Sequence, residues 1–533
     1  MREAMTEGPS GTSENDAIRR VVVVGGGSAG WIAAARIAAR NADPEGDSGG
    51  DGVTVVLVES PTEPSIGVGE GTWPTMRNTL AKIRLSETDF IRSADAVFKQ
   101  GARFVGWTWG GDDAYYHPLN PPVGAGEVNL SPHWEERAAT GPSAGDFAHS
   151  VDFQGALCDA GLAPKAITHP EFAGLANYAY HLDAGKFATL LRDHAVGRLG
   201  VRHVVGDVVA ADRTAEGDIQ SLRLADGTMI QGDLFVDCTG FKGVLIDRVY
   251  RVPLKSCRQY LFADKALALQ IPYSVEDAPI ACHTVATAQT AGWIWDIGLW
   301  SRRGVGYVHS SAHTSADQAE ATLRAYAGPG AEALSVRSID INAGHRETFW
   351  INNCVAVGLS AGFIEPLEAS ALMLIELSMD TIADRLPATR RAMDLIARQF
   401  NADFHHHWAR VIEFLKLHYI LTRRPEPFWQ DNLDPASFPD GLSERLELWR
   451  HHPPCAADFP RHREVFSWPS YQYVLHGMGF PTRYAGHPTL GPERRAAARL
   501  FARAAAQRSD AMARLPPHRS LIRAIRQHGL QRL

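Results

Sequence analysis

The sequence lacks the cysteine spacing from which small metal or disulfide frameworks are built. Its six cysteines, Cys158, Cys238, Cys257, Cys282, Cys354 and Cys455, are scattered, and no two form C-x-x-C. That pattern argues against a zinc site and against disulfides, and it predicts reduced thiols in a cytoplasmic protein. Long hydrophobic runs are missing too. The most apolar stretch, Ala371 to Met379, is too short to span a bilayer and carries Glu376, so no membrane span is expected. Met1 to Asp16 is rich in Gly, Ser and Glu, without the basic and apolar regions of a secretory signal, and residues 1–18 read as a disordered tail. There is little excess charge of either sign. The net charge of −7 and pI near 6.3, with basic residues concentrated only at the C-terminal end, call for no nucleic-acid partner.

What is present is enough for a large core: 533 residues, 45% of them apolar, sufficient for one elaborated domain or two closely packed ones. Arg20 to Val24 reads as a buried strand. Glycines follow, and then Trp31, Ala34, Ile37 and Ala38 recur at helical spacing. A Gly/Asp-rich loop, Asn41 to Gly52, leads to a second strand, Val53 to Val58, ending in Glu59, which completes a βαβ unit with parallel strands. From Phe104 to about Ala176, Trp, Tyr, Pro and Gly with weak periodicity predict loops and short elements laid over the core. Short β-like runs between Val201 and Val236 predict a meander returning to the first domain, and Gln270 to Tyr307 fits a second sheet facing a ligand. After the strand Cys354 to Val357 a helix is expected near Pro366. Beyond Pro387 the positions Met393, Ile396, Phe400, Phe404, Trp408, Ile412, Leu415 and Tyr419 set an apolar stripe along a helix.

Gly25, Gly27 and Gly30 fall on G-x-G-x-x-G between a strand and a helix. Backbone N–H groups and the helix dipole can hold a pyrophosphate there. The whole turn, Gly25, Gly26, Gly27, Ser28, Ala29 and Gly30, is therefore a candidate dinucleotide cradle, with Glu59 placed for the ribose hydroxyls. FAD and NAD both fit this motif alone. Two further strand-end turns, Asp237-Cys238-Thr239-Gly240 and Gly358-Leu359-Ser360, favour a large extended cofactor, FAD.

Four further elements occur in order: Gly67-Val68-Gly69-Glu70, Phe98-Lys99, Gly292-Trp293-Ile294-Trp295-Asp296-Ile297 and Glu365-Pro366-Leu367-Glu368. In order and spacing, from about Arg20 to Phe480, the chain resembles the flavin-dependent tryptophan halogenases. The resemblance implies an α/β fold: an FAD-binding Rossmann-like domain of the flavin monooxygenase type over 19–385, with an inserted sheet and substrate-facing loops, and a mainly helical substrate-binding region over 386–533. It implies that reduced FAD, supplied by a separate flavin reductase, and oxygen convert halide to hypohalous acid, which travels to Lys99 and is directed onto an aromatic ring. Glu368 would orient that species or accept the proton lost from the ring, since a nearby carboxylate offsets a cationic intermediate. Further cofactor contacts implied are Ser60, Glu70, Gly71, Val208 and Leu359. Halide would rest on the backbone amides of Ser370 and Ala371, where the usual P-L-E-S-T-G is here Pro366-Leu367-Glu368-Ala369-Ser370-Ala371. Trp293 and Trp295 would line the flavin chamber and keep the organic substrate away from it. Gly298 stands where the family has proline.

His117, in Tyr115-Tyr116-His117-Pro118-Leu119, matches a histidine that stacks on the indole, and Trp468 in Phe466-Ser467-Trp468 faintly resembles the family's segment for the amino-acid group. Recognition of that group needs fixed partners for both charges, and Cys455 to Ser470 does not display them. The chain is thus similar to the branch acting on free or simple indoles, often with bromide. A tryptophan halogenase is the alternative, and an FAD aromatic monooxygenase or a flavin-binding redox sensor are rival readings. His405-His406-His407 occupy consecutive helix positions that point apart, so they predict no shared ion, and no resident metal is expected. A homodimer is left open.

Overall fold

The computed structural model describes residues 17–41, 52–62, 69–141, 145–461 and 463–532. The expected tail, Met1 to Asp16, lies outside the described residues, as do Gly67 and Val68. Ala17 already bridges to Thr389, and the Ile18 N–H donates to the Ala388 carbonyl at 3.2 Å.

The predicted βαβ unit is present. The strand Arg20–Val24 runs into the helix Ser28–Asn41 and then into the strand Thr54–Glu59, and the two strands pair in parallel from Arg20↔Thr54 to Val24↔Val58. They sit centrally in a six-stranded sheet, flanked by Leu234–Asp237 on one side and Arg202–Val205 on the other. Val21 to Val24 are all buried, as expected of a strand covered on both faces. Of the runs expected to form a meander, only Ser221 to Leu224 does so, in the antiparallel trio Val208–Arg213, Ile219–Leu224 and Met229–Gln231; Val201 to Val205 and Leu234 to Val236 instead join the parallel sheet.

The second sheet is larger than the sequence suggests. Seven strands take part, and two of them, Gly101–Val105 and Ala114–Pro118, fall where loops are expected from Phe104 onward. They form an antiparallel hairpin whose turn, Gly106 to Asp113, is rich in Gly and Trp. Both flanks of the hairpin are largely buried, so no polar alternation marks it as a strand pair. A third, small sheet joins Gly69–Gly71, Ala179–Asp183 and Val97–Lys99, setting Lys99 opposite Ala179 and Gly71 opposite His181.

The last third is helical, and its predicted stripe is real: Met393, Phe400, Phe404, Trp408, Ile412, Leu415 and Tyr419 are buried along the helix Arg390–Ile420. Val21, Trp293, Trp408, Phe466 and Ile522 belong to one continuous apolar core. The C-terminal helix His518–His528 comes back to the site. His518 Nδ1–H donates to the Ile280 carbonyl at 3.1 Å, and Nε2 accepts the Phe98 N–H at 3.1 Å, which buttresses the strand bearing Lys99. Among the described residues no helix is long and apolar enough to cross a membrane.

Candidate active site

The glycine turn is packed so tightly that only glycine fits at two of its positions. A Cβ on Gly30 would lie 1.8 Å from the Gly25 carbonyl oxygen, and one on Gly25 2.2 Å from that of Cys238, so both positions demand glycine. Gly27 faces open space. Gly27, Ser28 and Ala29, at the amino end of the helix Ser28–Asn41, line a cavity, with Leu359 also on its wall. Glu59 lies against Gly26, and one carboxylate oxygen is 2.8 Å from His203 Nε2. Ser60 Oγ donates to Asp207 at 2.5 Å, one residue before Val208, so Glu59, Ser60 and Val208 gather outside that cavity, beside the turn. A phosphate cradle, an acidic strand end and a long cavity are what an extended FAD requires.

The same cavity is also lined by Glu70, Gly71, Lys99 and Glu368. Burial, with help from the Asp183 charge, pushes the Glu70 carboxyl up to about 7. Lys99 is only 2% exposed, and its Nζ donates to the Thr72 carbonyl at 3.2 Å. Burial lowers its amine to about 8, against the opposing pull of Glu368. The Trp73 ring centroid lies 5.9 Å from Nζ, and Trp73 Nε1–H donates to the Glu368 carbonyl at 2.6 Å.

Glu368 is not the first-turn helical acid that a helix start near Pro366 implies. The helix begins at Ser370, and Glu368 and Ala369 precede it in left-handed conformations, with φ of 63° and 52°. Such strain in non-glycine residues costs roughly 1–3 kcal/mol each and persists where surrounding structure enforces it. Here the Trp73 bond and two histidines do so. His117 Nδ1 is 2.7 Å from Glu368 Oε1, and His418 Nε2 is 3.3 Å from the same oxygen, a close polar contact rather than an aligned hydrogen bond. Burial opposes the carboxylate charge. The His117 charge and the contacts of both histidines outweigh it and hold the carboxyl far below its usual range.

Trp293 and Trp295 share one face of the strand Gly292–Gly298, both line the cavity, and their ring centroids are 6.4 Å apart. Ala371 lines the cavity, whereas Ser370 is buried behind it, in a smaller hollow shared with Glu365. No side chain caps the helix Ser370–Asp384, so its amino end is open to an anion.

His117 lies on a strand rather than in a loop and is buried against Glu368, Trp73 and Phe414. Trp468 opens the helix Trp468–Gly477 and is half-buried. The nearer aromatic is Phe466, stacked on Phe414 at 4.0 Å and set edge-on to Trp73 at 5.3 Å. Sequence reasoning missed Trp73, His418 and His181. The signal for His418 lay in the run Arg410 to Tyr419, which mixes charged and apolar residues yet is buried on every side. His181, beside Lys99, bonds Thr284 Oγ1 through Nε2 at 2.8 Å.

The three consecutive histidines diverge: His405 faces Phe349, His406 bonds Glu464 at 3.0 Å, and His407 is buried. Cys158 and Cys282, far apart in sequence, converge with His283 so that one ligand atom from each lies within 4.8 Å of the others.

With this geometry in view, the tryptophan halogenase family pattern matches residues 20–490. A solved tryptophan halogenase from Shewanella frigidimarina NCIMB 400 is 43% identical and superposes with a TM-score of 0.93, covering 97% of this chain and 99% of that one. Tar14, a tryptophan C-6 flavin-dependent halogenase (chlorinase) from taromycin biosynthesis, is 34% identical with a TM-score of 0.87, covering 96% and 100%. The tryptophan 6-halogenase SttH of Streptomyces toxytricini is 35% identical over 483 residues, 86% of this chain and 89% of its own length. The expected preference for free or simple indoles finds no support among these relatives, whose names specify tryptophan. The nucleotide cradle, the cavity it shares with Lys99 and Glu368 and these likenesses agree: the chain belongs to the tryptophan halogenase family, whose members are flavin-dependent halogenases.

Proposed function

We propose that this protein halogenates the indole ring of tryptophan, using chloride or bromide, oxygen and FADH2 delivered by a separate flavin reductase. The observation that carries this reading is one cavity lined at once by Gly27 to Ala29, by Trp293 and Trp295, and by Lys99 and Glu368. Bound reduced flavin supplies, with oxygen, the oxidising equivalents that turn halide into hypohalous acid. The amino end of the helix Ser370–Asp384 holds the halide near Ala371. Trp293 and Trp295 fill the space in which an organic substrate would otherwise meet the flavin. Lys99, held by the Thr72 carbonyl, donates a hydrogen bond to the hypohalous oxygen and makes the halogen more electrophilic. Glu368, kept ionised by His117 and His418, offsets the positive charge of the attacked ring and takes its proton.

The test is mass spectrometry of reactions containing the purified chain, a flavin reductase, oxygen and either halide, with tryptophan and indole offered separately. Halogenated tryptophan, dependent on halide, is expected. Hydroxylated product in halide-free buffer would overturn the chemistry. Halogenated indole with untouched tryptophan would overturn the substrate.

A further inference from the structure

Cys158 sits in the helix Gln154–Asp159, while Cys282 and His283 lie in the bend ahead of the strand Thr284–Gln289. More than a hundred residues of chain separate them, yet all three are buried, with exposures of 5%, 0% and 8%. One donor atom of each lies within 4.8 Å of the other two. His283 Nδ1 is shut away from solvent without a hydrogen-bond partner, a state that buried polar atoms rarely keep. The nearby His518 does not compete for a ligand, because both of its ring nitrogens are committed to backbone groups.

We infer that Cys158, Cys282 and His283 form a three-ligand zinc site that ties the helix Gln154–Asp159 to the chain beside Lys99. Two sulfurs and an imidazole are a borderline-soft donor set suited to zinc, and tetrahedral zinc places such donors about 3.5–3.8 Å apart, inside the 4.8 Å within which all three lie here. Two thiolates cancel the charge of a dication, which satisfies the rule that a buried charge be paired or coordinated. Among the described residues no fourth His, Cys, Asp or Glu joins the group, so a solvent molecule would complete the tetrahedron. The site bears directly on the catalytic lysine: the Cys282 carbonyl accepts the N–H of Gln100, the residue after Lys99, at 2.7 Å. Thr284, two residues on, bonds His181 beside Lys99.

The experiment is elemental analysis of the FAD-loaded protein, purified without chelator, followed by chelation and titration with cobalt(II). The result expected is about one zinc per chain and, with cobalt, a near-ultraviolet sulfur-to-metal charge-transfer band. Both should be lost in Cys282→Ser and His283→Gln and kept in Cys257→Ser, with flavin binding reporting that each variant is folded. Zinc X-ray absorption on the unaltered protein needs no variant. It should show two sulfur scatterers at about 2.3 Å and at least one nitrogen. A folded wild type that holds no zinc and gives no cobalt band would overturn the inference. So would zinc that stays in Cys282→Ser, since the half-exposed cluster His452, Cys455 and Asp458 would then be its holder.

Discussion

His117 Nδ1 lies 2.7 Å from Glu368 Oε1, and both side chains are 2% exposed. The two meet because a strand residue and a left-handed turn residue are brought together from 251 positions apart. A carboxylate buried to this degree keeps its charge only through such partners.

The pair can therefore be separated by His117→Phe, which keeps a ring against Trp73 and Phe414 and removes both nitrogens. Yield of halogenated product should fall about ten- to a hundredfold, the usual penalty for losing the group that orients a reacting residue. Hypohalous acid, trapped by an added thiol, should form at the wild-type rate. Unchanged product yield would show that His418 alone suffices to hold Glu368.

Ala369 sits at φ 52° with no glycine to ease it. Ala369→Gly should stabilise the protein by about 0.5–1 kcal/mol, because relief of roughly 1–2 kcal/mol of left-handed strain exceeds the added entropy of the unfolded chain. Thermal denaturation reads this directly. A lowered Tm would mean that the alanine methyl group contributes more by packing than its backbone loses.

Much of this arrangement is legible in the sequence wherever function sits in contiguous motifs. Gly27 to Ala29 of the glycine turn, the pair Trp293 and Trp295, and Lys99, each part of a contiguous motif, line one cavity. What escapes is whatever depends on long-range packing. The hairpin ending at His117 has no polar alternation because both of its faces are covered, and the left-handed turn at Glu368 contradicts local propensity, which favours a helix after Pro366. The Cys158 and Cys282 convergence is likewise invisible to spacing rules, since the ligands come from separate elements.

Gly306 faces Trp295 across the second sheet, and a Cβ there would lie 2.0 Å from the indole ring. Gly306→Ala must push that ring into the flavin cavity or part the strands. Overpacking of this kind costs about 1–3 kcal/mol, so flavin affinity should drop roughly tenfold when followed by flavin fluorescence. Wild-type affinity in this variant would mean that the ring does not border the cofactor.

The amine of Lys99 also fixes a pH dependence. Burial lowers it to about 8, so the ammonium that the proposed reaction uses as donor is lost as pH rises through that value. Halogenated product should decline above pH 8 while oxidation of reduced flavin continues. A flat yield to pH 10 would remove the ammonium from the reaction.

The same buried amine predicts a stability change of known sign. An unfolded lysine titrates near 10.5 and the folded one near 8, so the folded state pays for the charge at every pH below about 8. Between those values the unfolded chain binds more protons, and wild-type stability rises with pH. Lys99→Met removes the charge while preserving the length of the side chain. It should therefore be more stable than wild type at pH 7, by up to about 3 kcal/mol if each unit is worth 1.36 kcal/mol. The advantage should shrink steadily from pH 8 to 10.5. Denaturant titrations of both proteins across that range test the sign. A variant less stable than wild type at pH 7 would show that the Thr72 bond and the attraction to Glu368 outweigh the loss of hydration.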